Sequence, residues 1–307
     1  MHAMTLEAQP YTLMPGEIDH GKPFLPERFT PLAHTSLYEK LSPEQRLRYN
    51  QLTGMLFNEQ FMFFESLLGE CLLLPVIARA DDPELREGLR HFMEEEKRHS
   101  EVFAELNRRC APDLYRDSRF HFLHMPPAWM RAMRWTASRA NRFPFLLWLI
   151  TIQEERAVAY ARGFEAEEGG LEPHFADIQR KHLADEMSHV EYDDLLVERY
   201  WDSARPAVRR VNARLLSWTL FEFFCAPRRS GVKVVDHLIR AHGDLLPLRP
   251  EILASFRSLD RSPEYVRSMY GPDVIPETLE KMRAYPEFAS FLSRLETACA
   301  PREGQTP

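Results

Sequence analysis

Two copies of a Glu-x-x-His pattern, separated by 90 residues, constrain the fold of this chain more than any other feature of its sequence. They read EKRH at residues 96–99 and EMSH at residues 186–189. Each copy lies within a stretch typical of one long helix, so its carboxylate and imidazole, three residues apart, share one helical face. One copy alone has little meaning in a chain rich in Glu and His. Two copies predict two helices that each offer a carboxylate and an imidazole to a shared site.

Start and stop signals divide the chain into helices, and no stretch shows convincing strand-like alternation. Ser42 and Pro43 begin helix A, which should run to about residue 80. Asp82 and Pro83 begin helix B, which should end before Pro112. We therefore predict an all-α fold. Further helices are predicted near residues 127–140, 144–168 (helix C), 174–204 (helix D), 207–224, 231–242, 250–257 and 276–297.

Proline-rich breaks also suggest the domain organisation. Residues 1–41 are rich in proline and polar residues without sustained periodicity, so we expect an extended N-terminal arm. Residues 42–307 are expected to form a single domain. Within it, we predict a core bundle at residues 42–204 and additional C-terminal helices at residues 206–297.

In known di-iron carboxylate bundles, two helices each provide a Glu-x-x-His pair and the other two helices each provide one Glu. The sequence contains suitable glutamates in the remaining two helices. Helix A offers Glu59, Glu65 and Glu70, and helix C offers Glu154 and Glu155. A carboxylate buried on an apolar helical face is costly unless a metal or hydrogen bonds compensate it, which favours a metal site.

Distance from the interhelical turns favours one glutamate in each helix. Both helices of an antiparallel hairpin rise by about 1.5 Å per residue, so residues equally far from the turn lie level. Glu65 and His99 each lie 17 residues from residue 82, and Glu155 and Glu186 each lie 15.5 residues from the midpoint 170.5. The offset of 90 also relates Glu65 to Glu155. Helix A contains several glutamates, so Glu59 remains an alternative to Glu65.

Helix D carries an additional histidine, His182, one turn before its proposed ligand glutamate. An isolated histidine here would be a hydrogen-bonded structural residue, but its alignment with the proposed ligands favours a third imidazole ligand. Ligand histidines usually donate their second ring N–H to a carboxylate or carbonyl. Because Asp185 and Glu95 immediately precede the two ligand glutamates, we expect Asp185 to support His99 and Glu95 to support His189 across the bundle.

The segment HLADEMSH at residues 182–189 completes a pattern that resembles the para-aminobenzoate N-oxygenase family of non-haem di-iron arylamine oxygenases. The resemblance covers about residues 55–200. It implies a ferritin-like four-helix bundle with a di-metal centre, plus additional C-terminal helices. It also implies a set of seven iron ligands: Glu65, Glu96, His99, Glu155, His182, Glu186 and His189.

The activity expected from the resemblance is N-oxygenation of a small-molecule aryl or alkyl amine to hydroxylamine, nitroso or nitro products, in specialised metabolism such as antibiotic biosynthesis. Two Fe ions per chain, cycling between Fe2+ and Fe3+, would pass electrons to O₂ and form a peroxo species. The sequence has no G-x-G-x-x-G nucleotide-binding fingerprint, so we expect an external reductase or ferredoxin as electron donor. The alternatives are a C–H hydroxylase or desaturase on the same core and, from other classes, an iron-storage or peroxide-detoxifying protein or a metal-free interaction protein.

Composition excludes several other classes. A formal net charge of −7 gives no general basic footprint, so we expect no nucleic-acid partner. The strongest apolar stretch, residues 143–152, is far shorter than the roughly 20 residues of a membrane span, so we expect no membrane association. Four scattered cysteines without a C-x-x-C pair fit a reducing cytoplasm. The oligomeric state, including a homodimer, stays open.

Overall fold

The computed structural model of the protein describes residues 11–123, 125–167 and 169–301, and all regular secondary structure in these ranges is helical. The all-α prediction is therefore confirmed. The described ranges contain twelve α-helices: α1 (Pro43–Met62), α2 (Glu70–Ile77), α3 (Pro83–Cys110), α4 (Pro127–Ala137), α5 (Phe145–Ala166), α6 (Pro173–Val197), α7 (Pro206–Thr219), α8 (Ser230–Ala241), α9 (Arg249–Ser258), α10 (Pro263–Tyr270), α11 (Pro276–Arg283) and α12 (Ala289–Cys299).

The long helices begin where the sequence predicts because side chains satisfy their free backbone N–H groups. At the start of α1, Gln45 N donates to Ser42 Oγ (3.3 Å) while Ser42 N donates to Gln45 Oε1 (2.9 Å), which completes a capping box. At the start of α3, Asp82 Oδ1 accepts from Glu84 N at 2.9 Å. The Ser42 cap fixes the start of the first long helix, and the Asp82 cap fixes the turn between the first two long helices at the predicted position.

The first long helix is not a regular α-helix. Between α1 and α2 it is wound as a π-helix over Phe63–Gly69, a stretch that includes Glu65. Two more π-helical segments, Glu198–Asp202 and Leu220–Phe224, continue α6 and α7. A π-helical turn contains an additional residue, so it changes the angular phase of the side chains that follow.

The four long helices form the bundle. The helix made of α1, the π-helical segment and α2 packs on α3, α5 packs on α6, and α3 packs on α6. The C-terminal helices cover one side of this bundle, where the Trp201 ring stacks on Phe288 (4.7 Å) and lies edge-on to Trp148 (5.8 Å). The C-terminal segments therefore share a core with the bundle.

The C-terminal part differs from the prediction in two places. The predicted helix at residues 276–297 is two helices, α11 and α12, because Pro286 cannot continue the first. Helix α10 was not predicted, although Ser262 caps it by accepting from Tyr265 N at 3.4 Å. Helices this short contain too few apolar residues at helical spacing to be predicted from the sequence.

The N-terminal arm lies against the bundle in its described part, residues 11–41. Residues 1–10 of the predicted arm and residues 302–307 of the predicted domain lie outside the described residues. The arm includes three short 3-10 turns between residues 27 and 40. The Phe24 ring stacks on the Phe175 ring, with 4.3 Å between centroids. Asn50 Oδ1 accepts a hydrogen bond from Leu25 N, and Asn50 Nδ2 donates one to Leu25 O. In its described part, the arm therefore packs along the bundle.

One helix, residues 43–77, is long and apolar enough to cross a membrane by length and composition. Its most apolar window is 53% buried inside the protein. The core helix of a soluble protein passes the same test, and this one packs against α3 and α8.

Candidate metal centre

Six of the seven predicted ligands lie together in the middle of the bundle. One ligand atom from each of Glu96, His99, Glu186 and His189 lies within 4.8 Å of the others. A second group within the same distance consists of Glu65, His99 and His182. The π-helical segment provides Glu65, α3 provides one Glu-x-x-His pair, and α6 provides the other pair together with His182. All six residues are buried.

The separations between these atoms are those of ligands around shared ions. His189 Nδ1 lies 2.9 Å from Glu96 Oε1 and 3.5 Å from Glu186 Oε2. His99 Nδ1 lies 3.6 Å from Glu186 Oε1, and His182 Nε2 lies 2.7 Å from the same oxygen. His182 Nε2 also lies 3.2 Å from an oxygen of the glutamate in the π-helical segment. The two halves of the cluster therefore meet at the Glu186 carboxylate.

Most of these atoms make no hydrogen bond of acceptable geometry with any described residue. The unpartnered atoms include both carboxylate oxygens of Glu65 and Glu186, one oxygen of Glu96, and Nδ1 of His99 and His189. A buried polar group without a partner costs about 1–3 kcal/mol, and a charged one costs more. Bound cations would remove this cost. Carboxylate oxygens with imidazole nitrogens form a donor set that suits iron, so the residues fit the metal that the sequence predicts.

Two carboxylates orient the histidines in the way predicted from sequence. His99 Nε2 lies 2.9 Å from Asp185 Oδ2, and His189 Nε2 lies 3.3 Å from Glu95 Oε2. Both contacts join α3 to α6. Burial alone would raise the pKa of Asp185, but its hydrogen bond with His99 and the charges of the neighbouring histidines together outweigh burial and lower that pKa. With Nε2 engaged, each histidine presents Nδ1 to the cluster.

Acidic side chains crowd this site. Burial raises the pKa of Glu65 to about 8, although the nearby His182 imidazole opposes the shift. Burial and the nearby charge of Glu186 raise the pKa of Glu154 well above its ordinary value. Burial is also the largest cause of the raised pKa of Asp193, to which Glu186 adds. These three carboxyl groups therefore favour their protonated form unless cations bind.

The structure corrects the choice of Glu155 as the ligand from helix C. Its carboxylate accepts from Glu277 N (2.7 Å) and Thr278 N (2.9 Å), and so binds the first turn of α11. Adjacent residues of a helix point about 100° apart, so the neighbouring Glu154 faces the cluster instead. Distance from the turn cannot separate two residues that differ by about 1.5 Å in level.

The structure also separates Glu65 from its alternative, Glu59. Glu59 is buried away from the cluster, where its carboxylate accepts from Tyr115 Oη (2.8 Å), His121 N (2.8 Å) and Phe122 N (3.0 Å). It therefore holds the loop after α3 against α1. Glu65 remains as the helix A glutamate at the cluster.

Two residues near the cluster were not found by sequence reasoning. The Tyr11 ring lies 4.3 Å from the His99 ring and 6.4 Å from the His182 ring, between centroids, so the N-terminal arm covers one side of the site. Asp193, one turn after His189, is 3% exposed, and one of its oxygens has no hydrogen-bond partner among the described residues. Asp193 lies four residues after His189, on the same helical face, so it was detectable from the sequence. Tyr11 has no sequence signal.

A cavity of about 300 Å³ reaches the cluster. Glu65 and Glu154 form part of its wall. Much of the rest is aromatic, including Phe57, Phe61, Phe64, Phe223 and Phe224. Phe92 and Trp148, by contrast, are packed in the core. The cavity has the size and walls of a pocket for a small, flat molecule.

Arg156 is a charged residue in the wall of this cavity and is 7% exposed. Its guanidinium donates to the Gln153 side chain and to Tyr160 Oη (2.7 Å), and lies 4.8 Å from the centre of the Tyr270 ring. Its Nε atom and Gln153 Nε2 have no hydrogen-bond partner among the described residues, and the strongest electrostatic partners of its charge are tyrosines rather than carboxylates. A buried cation without a counter-ion indicates a place for an anionic ligand.

The helical bundle and its buried cluster define the class of the protein: a ferritin-like, di-metal carboxylate protein. A sequence-family model described as p-aminobenzoate N-oxygenase AurF matches residues 14–237, and the chain belongs to this family. The resemblance found from the HLADEMSH segment is thereby confirmed. The family is one of di-iron oxygenases, which makes this chain an enzyme of the oxygenase class. A search of curated proteins found no match.

Proposed function

We propose that this protein is an O₂-dependent di-iron monooxygenase that oxygenates the nitrogen of a small aromatic amine carrying an anionic group. The products would be a hydroxylamine and, after further oxygenation, nitroso and nitro compounds. The observation that carries the proposal is the cavity, whose lining includes both the metal-site residues Glu65 and Glu154 and the buried Arg156. Membership of the p-aminobenzoate N-oxygenase family supports an arylamine as the substrate class.

Seven residues would hold two iron ions per chain. When bound as Fe2+, these ions supply the electrons that activate O₂. The ligand set differs from the sequence-based set only in helix C, and comprises Glu65, Glu96, His99, Glu154, His182, Glu186 and His189. Because burial favours protons on Glu65 and Glu154, iron binding must release them. Asp185 and Glu95 hold their histidines so that Nδ1 is free to bind iron.

The cavity determines how an amine would be presented. An anionic substituent would accept hydrogen bonds from Arg156 Nε and Gln153 Nε2, the two donors that lack partners. A guanidinium binds a carboxylate more strongly when both are removed from water. The aromatic side chains would enclose the ring and exclude water. With the anion held at Arg156, a rigid aromatic ring directs a substituent on its far side towards Glu65 and Glu154.

The proposal includes an external reductase or ferredoxin as electron donor, because the sequence lacks a G-x-G-x-x-G fingerprint. It also places the enzyme in the cytoplasm, which fits its four free cysteines. The proposed partner in the reaction itself is a small-molecule amine. With an aromatic amine as substrate, we place the enzyme in specialised metabolism, such as antibiotic biosynthesis.

The test is aerobic turnover by protein loaded with Fe2+ and supplied with a chemical reductant. p-Aminobenzoate, aniline and p-toluidine should be compared, with products separated by chromatography and iron counted in the loaded protein. We expect about two iron ions per chain and N-oxidised p-aminobenzoate as the main product. Oxidation at the methyl group of p-toluidine without any N-oxidation would instead assign the centre to C–H hydroxylation. Failure to bind iron would reject the proposal.

A further inference from the structure

Helices α4 and α7 expose arginines and tryptophans without any acidic residue. Residues 126–143 and 206–219 contain seven arginines and no Asp or Glu, in a chain with a formal net charge of −7. The exposed fractions of Trp135 and Trp218 are 49% and 47%, which is unusual for such large apolar side chains. We call the following exposed residues the arginine–tryptophan face: Arg131, Arg134, Trp135, Arg210, Arg214 and Trp218.

The two helices form one continuous surface. At one end, the Trp129 ring stacks 6.1 Å from the Trp218 ring. At the other end, Asn212 Nδ2 donates to the backbone oxygen of Arg142 at 3.0 Å. These contacts pair the start of α4 with the end of α7, so the two segments run antiparallel. Arginines and tryptophans from both helices therefore lie side by side.

This surface lies close to the proposed iron site. Helix α4 packs directly on the π-helical segment that carries Glu65. Packed aromatic rings also lead inwards from the surface: Trp129 lies 4.6 Å from Phe223, whose chain neighbour Phe224 lies 5.1 Å from Phe64. Phe64 immediately precedes Glu65. Helix α4 and these packed aromatic side chains would separate a molecule bound here from the metal site.

We propose that the arginine–tryptophan face is the docking surface for an acidic electron-transfer protein that reduces the iron centre. This inference rests on the proposed function, which requires electrons from outside the chain. Each transfer would oxidise one reduced [2Fe–2S] cluster of the donor by one electron and reduce one Fe3+ to Fe2+. Two transfers reduce both irons.

The chemistry of the face matches a protein partner. Arginine and tryptophan are the residues most enriched at the energetic centres of protein interfaces, and a basic patch attracts an acidic partner. Helices that lie on membranes place their cations and their apolar side chains on opposite faces. Here Arg131, Arg134 and Trp135 share one exposed face of α4. An acidic protein surface therefore fits better than a lipid surface.

The test compares two double variants with the same change in charge. Arg210→Glu with Arg214→Glu alters the face, and Arg162→Glu with Arg257→Glu alters exposed arginines on α5 and α9. The probe is an acidic plant-type [2Fe–2S] ferredoxin. Calorimetry at low ionic strength should show ferredoxin affinity at least about tenfold weaker for the face variant and within about twofold of wild type for the control variant. In stopped-flow experiments, reduced ferredoxin should reduce the iron-loaded face variant more slowly than the iron-loaded control variant and wild type.

Reduction by dithionite separates this inference from the proposed function. Both iron-loaded variants should be reduced by dithionite as fast as wild type, since neither double substitution touches the cluster. Wild-type protein that binds ferredoxin through the face but oxygenates no amine with dithionite would reject the proposed function and keep the docking surface. Absence of ferredoxin binding, or equal loss in both variants, would reject the docking surface. Binding to phosphatidylserine vesicles that only the face variant loses would assign the face to a lipid surface instead.

Discussion

The adjacent pair Glu154 and Glu155 offers a sharp test because the structure gives the two residues opposite roles. In Glu155→Gln, one carboxamide oxygen replaces two carboxylate oxygens that accept from Glu277 N and Thr278 N. Loss of one charge-assisted hydrogen bond costs about 1.5–3 kcal/mol. For a chain of this size, that corresponds to a melting temperature lower by about 2–5 °C. Iron binding should be unchanged.

Glu154→Gln should have the reverse effect. Burial and its acidic neighbours already favour the neutral form of Glu154 when no cation is bound, so a neutral carboxamide should leave the melting temperature of the metal-free protein within about 2 °C of wild type. Because Glu154 is a proposed ligand, its substitution should weaken iron binding by at least about tenfold. Tenfold is the lower end of the loss in metal affinity seen when a carboxylate that only supports a ligand is removed.

The assay measures both properties on both variants. Iron per chain is counted after dialysis against a competing chelator, and thermal unfolding is followed on metal-free protein. Loss of iron in Glu155→Gln with retention in Glu154→Gln would refute the correction made from the structure and restore the choice made from the sequence.

Three further predictions concern other residues. Asp185→Asn should weaken iron binding by about 10- to 100-fold, measured by chelator competition, because His99 loses its carboxylate partner; unchanged affinity would remove that role. Arg156→Met should raise KM for p-aminobenzoate by at least about 30-fold, the loss of a buried charge pair, while leaving KM for aniline nearly unchanged; equal effects on both amines would contradict an anion site. Burial, together with the His121 charge, lowers the pKa of His237 to about 4. Because an unfolded His titrates near 6.5, stability should fall as pH drops from about 6.5 to about 4, and His237→Asn should flatten that part of the curve in urea denaturation, whereas an unaltered slope would show that other groups cause it.

Local rules explain why much of the bundle was predictable. The capping residues Ser42 and Asp82 act within a few residues of themselves, so their effect can be read from sequence. The Glu-x-x-His pairs were equally readable, because a spacing of three places both side chains on one helical face. The contact between Asp185 and His99 followed from the ordinary behaviour of histidine ligands.

The features that were missed depend on tertiary contacts. The choice between Glu154 and Glu155 depends on which one meets α11, a helix more than 100 residues later. The relation by an offset of 90 assumed regular α-helices in both halves, and the π-helical segment around Glu65 breaks this equivalence. Tyr11 reaches the cluster from an irregular arm, and the cavity lined by Arg156 is assembled from six parts of the chain.

The most direct test of the central claim is oxygenation of p-aminobenzoate under ¹⁸O₂ by iron-loaded protein, followed by mass spectrometry of the products. The account predicts ¹⁸O bound to nitrogen, with no product when iron is removed by a chelator. Label found only on carbon, or N-oxidised product that forms equally well without iron, would contradict it.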